Sequence, residues 1–106
     1  VGQMDIQVTS RHSKLSDTIK DTITEKLNRL ERYYDRINSC RVVCDSESTD
    51  KSMEVILGVQ NHQIRALAKA ENIGKALDDV LEKTERQLKK LNEKIKNHNH
   101  AKPIPN

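Results

Sequence analysis

From Met4 to Thr9 apolar and polar residues alternate, which predicts a first strand with Met4, Ile6 and Val8 facing inward. The period changes after Ser16. Ile19, Ile23, Leu27, Leu30 and Tyr34 recur at spacings of four, four, three and four, the apolar stripe of an amphipathic helix, and Ser16 ahead of Asp17 offers its N-cap oxygen. Three alternating runs follow. Cys40, Val42 and Cys44 share a face of the first, Met53, Val55, Leu57 and Val59 a face of the second, and Ile64, Ala66, Ala68 and Ala70 a face of the third. Asn61-His62 reads as the tight hairpin turn between the last two. The stretch Asp45 to Ser52, rich in Ser, Asp and Glu, reads as a loop with a flexible tip. The inward alanines leave room for a helix to lie close to that strand. A second helix, capped by Asn72, carries Ile73, Leu77, Val80, Leu81, Thr84, Leu88, Leu91 and Ile95, and its last turns should project beyond the sheet.

This order predicts an α+β fold, βαβββα, with a four-stranded, mostly antiparallel sheet and both helices packed on one face. Residues 4–97 form the expected single domain. Residues 1–3 read as a non-native remnant ahead of Met4 as the natural start, and residues 98–106, with Pro103 and Pro105, as a disordered tail.

Composition refines the picture. Tyr33 and Tyr34 are the only aromatic residues, so the core must be aliphatic beneath a heavily charged surface. The net charge of +3 is too small to name a partner, and the placement of charge matters more. No apolar run approaches the roughly 20 residues that span a bilayer, so a cytoplasmic protein is expected. Cys40 and Cys44, four residues apart on one strand, would lie roughly 13 Å apart, beyond the reach of a disulfide. They read as buried apolar spacers.

At 100° per residue the helices segregate their charges. On the second helix Lys83, Gln87, Lys90 and Lys94 share one flank, with Arg86 just outside it, while Asp78 and Glu85 take the opposite flank, joined by Lys96. On the first, Thr22, Lys26, Arg29, Tyr33 and Arg36 line one flank and Glu31 lies on the other. Solvated faces with i,i+4 pairing would explain such runs. Alternatively, side-by-side helices would form a groove of Lys and Arg that spans the phosphates of folded RNA. Tyr33 can stack on a base or cover the helix junction.

The outer sheet face carries Arg41, Val43, Asp45, Glu54, Ile56, Gln60, Arg65, Leu67 and Lys69, without the aromatics of a base-stacking platform. Val43, Ile56 and Leu67 form a candidate apolar patch, which keeps a second reading open: an adaptor that binds transcription machinery through that face. Catalysis is not expected. The three glycines are scattered, with Gly74 in the second helix's first turn read as a packing glycine ahead of the alternative, a close approach of phosphate. His12, His62, His98 and His100 read as solvated, with no metal-ligand spacing and no cofactor implied.

The runs Ile6-Gln7-Val8-Thr9-Ser10-Arg11-His12, Leu15-Ser16-Asp17-Thr18-Ile19-Lys20 and Lys26-Leu27-Asn28-Arg29-Leu30-Glu31-Arg32-Tyr33-Tyr34-Asp35-Arg36-Ile37 resemble the ribosome hibernation promoting factor family. That family is also called sigma-54 modulation protein or ribosome-associated inhibitor A (protein Y). Ala76-Leu77-Asp78, Val80-Leu81 and Glu85-Arg86-Gln87-Leu88-Lys89-Lys90-Leu91 extend the likeness, which covers Met4 to about Asn97. The resemblance implies a fold shaped like double-stranded RNA-binding domains. It also implies binding at the decoding region of the small ribosomal subunit, on 16S-type rRNA, where messenger and transfer RNA sites are blocked. Translation would thereby be inhibited under stress and in stationary phase. The basic positions it implies are Lys20, Lys26, Arg29 and Arg32 on the first helix and Lys83, Arg86, Lys89 and Lys90 on the second. The wheel independently selects Lys26, Arg29, Lys83, Arg86 and Lys90, with Lys94 on the same flank. The short C-terminal extension resembles the family's short branch, in which a separate ribosome modulation factor helps to pair ribosomes.

Overall fold

The computed structural model describes residues 5–11, 14–34, 36–47 and 49–101, with side chains for all of these except 33, 47 and 95–101. The elements are β1 (Asp5–Arg11), α1 (Asp17–Tyr33), β2 (Ile37–Glu47), β3 (Asp50–Val59), β4 (His62–Ala70) and α2 (Ile73–Ala101). The sheet order is β1-β2-β3-β4. β1 runs parallel to β2, joined by the α1 crossover, whereas β2–β3 and β3–β4 are antiparallel. The expected architecture is thus the observed one.

Local chemistry sets the boundaries. Ser16 Oγ accepts from the Ile19 amide at 3.2 Å, and Asn72 Oδ1 accepts from the Lys75 amide at 2.8 Å, so both expected caps are present. Gly74 follows that second cap and is exposed; an added Cβ would meet only Asn72 Oδ1, at 3.5 Å, so it is not a packing glycine.

Inward residues of all four strands meet the helix stripes in one aliphatic core. Ile23, Leu27, Val42, Met53, Val55, Leu57 and Val80 are each fully buried, and Ile6, Val8, Leu15, Ile19, Tyr34 and Leu81 pack around them. Each such side chain removed from water contributes about 1.5–3 kcal/mol. Cys40 and Cys44 belong to this core as free thiols, and burial pushes them up to about 12 and about 11. Ala66 and Ala68 on β4 and Ala76 on α2 are buried, small residues in the layer between helix and strand. Thr84 is the one buried polar residue among those described, and its hydroxyl donates to the Val80 carbonyl one turn back at 2.7 Å.

Three boundaries differ from expectation. The turn between β3 and β4 is Gln60-Asn61, since His62 already pairs with Val59; Gln60 takes the left-handed conformation (φ 56°), and its amide is held by the Arg36 carbonyl at 3.2 Å. The Asp45–Ser52 stretch is mostly strand. β2 and β3 stay paired out to Glu47 and Asp50, because cross-strand polar partners replace apolar ones, as where Lys51 Nζ donates to Ser46 Oγ at 2.5 Å. α2 continues to Ala101, into the 98–106 segment expected as a disordered tail, with no proline until Pro103. Residues 1–3, Met4, His12 and residues 102–106 lie outside the described residues, as do the side chains of Tyr33, His98 and His100.

Candidate nucleic-acid interface

Each helix returns antiparallel to the strand before it, and β4 has the direction of β1, so α1 and α2 run parallel. Side-chain contacts trace this. Lys26 Nζ pairs with Asp78 Oδ1 at 3.2 Å, and further along Arg36 Nη1 donates to Asn92 Oδ1 at 2.9 Å. On the other side of α2, Lys83 Nζ donates to the Leu67 carbonyl and Gln87 Nε2 to the Arg65 carbonyl, both at 2.9 Å, as α2 descends along β4.

These contacts overturn the groove lined with Lys and Arg from both helices. Parallel helices resting on one sheet face are related by a translation, so their corresponding flanks point the same way. The Lys26–Arg29 flank of α1 therefore meets the opposite, acidic flank of α2, while α2's own Lys83–Lys94 flank lies over the β4 edge. The groove is mixed in charge. Tyr34 sits half-buried in it, and burial, reinforced by the Glu85 and Glu93 carboxylates, pushes its phenol up.

What the parallel arrangement does gather is charge along the helix axes. Residues 17–25 of α1 hold three acids and one base, and residues 73–82 of α2 likewise hold three acids and one base. Residues 26–33 reverse this to three bases and one acid, and residues 83–94 to five bases and two acids. Because the helices are parallel, both basic stretches lie toward one end of the molecule and both acidic stretches toward the other, with the change on α2 falling about one turn later than on α1, as the level pair Lys26–Asp78 shows.

At 100° per residue Arg32 and Arg86 fall opposite the buried stripes of their helices, with Arg29 and Lys89 on the groove side and Lys90 and Lys94 on the β4 side. All six are exposed and, among the described residues, form no ion pair. Of the other predicted positions, Lys26 is held by Asp78, Lys83 is engaged with β4, and Lys20 sits in the acidic half, on the flank away from α2. Arg36, just past α1 and on the same flank, also reaches the basic end, where Asn92 orients it. α2 is roughly 43 Å long at its ordinary rise, against roughly 30 Å for β4. With Gln87 beside Arg65, the helix reaches the Gln60-Asn61 turn at about residue 97, so only its last turn runs past the sheet and the cations up to Lys94 lie alongside β4.

The outer sheet face offers less. In the register Val43 pairs with Glu54 and Glu54 with Leu67, while Ile56 lies between Arg41 and Arg65. The three aliphatic residues are thus interspersed with charged ones, with Glu54 and Arg65 in an ion pair, the ordinary scatter of exposed aliphatics rather than the candidate patch. Leu67, 51 % exposed, is the one exposed large apolar residue among those described. No group of three or more metal-ligating side chains occurs among the described residues, and no described helix is long and apolar enough to cross a membrane.

Comparison with known proteins supplies the relatives. The sequence profile described as "Sigma 54 modulation protein / S30EA ribosomal protein" matches residues 6–96. The ribosome hibernation promoting factor of Escherichia coli K12 is 30% identical over 95 residues, covering 90% of this chain and all of the relative. That of Azotobacter vinelandii is 33% identical over 91 residues, 86% of this chain and 85% of the relative. Among solved structures, a ribosomal subunit interface protein from Coxiella burnetii superposes with a TM-score of 0.80 at 22% identity, covering 86% of this chain and 99% of the other. The N-terminal domain of Thermus thermophilus Protein Y gives 0.76 at 23% identity, covering 83% of this chain and 99% of the other. At those identities the structural likeness speaks for the fold.

Proposed function

This chain belongs to the sigma 54 modulation protein / S30EA ribosomal protein family, and on that premise we propose that it is a ribosome hibernation factor of the cytoplasm. It binds the small ribosomal subunit at the decoding region, excludes messenger and transfer RNA and inhibits translation by occupancy rather than by catalysis. The observation that carries this reading is the convergence of two basic helix stretches toward one end of the molecule, where six exposed cations form no ion pair among the described residues. Arg29, Arg32, Arg86, Lys89, Lys90 and Lys94 are the contacts to the RNA backbone, and Arg36 supports them. Charges of this kind release counterions from RNA, so binding should weaken steeply with salt.

The test is pelleting with purified small subunits across a salt series, alongside translation in a reconstituted system. Arg86→Glu with Lys90→Glu should abolish both binding and inhibition. Binding that ignores salt and both reversals would refute the reading. A sucrose gradient of whole ribosomes, with and without a separate modulation factor, then decides whether bound ribosomes pair.

A further inference from the structure

The acidic halves of the helices have no role in that contact, and ordinary helix stabilisation does not account for them. Carboxylates favour a helix dipole within the first turn. α2 has none there, and Asp78, Asp79 and Glu82 come later; in α1 Asp17 qualifies, but Asp21 and Glu25 do not. Pairing does not explain them either. Asp78 holds Lys26, whereas Asp21, Glu25, Asp79 and Glu82 form no ion pair among the described residues. The centres of the acidic and basic halves of α1 lie about 13 Å apart at the helical rise, beyond the Debye length of about 8 Å at physiological salt. A phosphate near one half therefore responds mainly to that half.

We propose that Asp21, Glu25, Asp79 and Glu82 are specificity determinants that repel phosphate from the first halves of both helices and confine RNA contact to the basic end. This rests on the functional reading above. A protein uniformly basic along both helices would lie lengthwise on any RNA duplex, gaining contacts without regard to shape. With the acidic halves in place, a generic duplex meets attraction over half of each helix and repulsion over the rest. Only an RNA surface that receives the basic end alone is bound tightly. Discrimination thus comes from a repulsive element as well as an attractive one.

The test replaces all four carboxylates with their amides, Asp21→Asn, Glu25→Gln, Asp79→Asn and Glu82→Gln, changes on the helix surface that alter charge with little change in shape. Affinity is measured for purified small subunits and for a 20-base-pair RNA duplex of non-ribosomal sequence. The quadruple variant should bind the duplex about tenfold more tightly, through the loss of several weak repulsions, with a steeper salt dependence. Its affinity for small subunits should change less than about threefold. A wild-type protein that binds small subunits, with a quadruple variant unchanged on the duplex, overturns the specificity role alone. A wild-type protein that fails to bind small subunits overturns the functional reading and this inference together. Arg32→Gln with Arg86→Gln should weaken duplex binding, and their failure to do so would also count against the inference.

Discussion

Lys83 reaches from α2 to the main-chain carbonyl of Leu67 on the edge strand β4, 2.9 Å away, and Gln87 makes the same contact to Arg65 one helical turn on. Two acceptors of an edge strand are thereby covered by side chains rather than left to recruit another strand.

Lys83→Ala with Gln87→Ala should leave the fold intact and increase self-association, read as concentration-dependent sedimentation. Lys83→Ala should weaken small-subunit binding less than Lys90→Ala does, since Lys90 makes no such contact among the described residues. Equal losses from the two substitutions would return Lys83 to the RNA interface.

Ala66 and Ala68 set how closely α2 lies on β4, being 4 % and 5 % exposed. Ala68→Leu should cost about 1–3 kcal/mol by overpacking, measured by urea unfolding. Leu67→Ser, one residue away on the opposite face, should stay within about 0.5 kcal/mol of the parent.

The buried thiols should make the fold sensitive to alkali. An unfolded thiol ionises near 9.0, whereas Cys40 and Cys44 resist ionisation until about 12 and about 11. Their contribution is complete below pH 9.0 and lost as pH rises toward the folded values. By pH 10 the loss should be on the order of 1 kcal/mol per thiol. Replacing both with Ala should flatten the fall between pH 8 and 10, while lowering stability at neutral pH through the space left in the core. An unchanged slope would contradict the account.

The fold was legible because nearly every element announces its period. Alternation marks the strands, the four-and-three spacing marks the helices, and Ser16 and Asn72 mark the helix starts. What sequence could not supply was mutual orientation. A wheel drawn for each helix shows which residues share a flank, but which flank meets which depends on both helices lying parallel on one sheet face. That relation moved Lys83 from a groove to the β4 edge and set Lys26 against Asp78. The signal that would have found the basic end was visible along the chain, as the change from acid to base midway through each helix. The Asp45–Ser52 reading failed for another reason. A polar composition marks a turn only where backbone pairing stops, and here Ser46 and Lys51 sustain it.

The most direct measurement of the central claim is cleavage of ribosomal RNA from iron tethered to single cysteines at the two ends of the helix layer. Glu93→Cys lies at the basic end and Asp21→Cys at the acidic end, both exposed, and the native thiols are buried. Iron on Glu93→Cys should cleave decoding-region RNA of the small subunit, with little cleavage from Asp21→Cys. Strong cleavage from Asp21→Cys and none from Glu93→Cys would contradict the account.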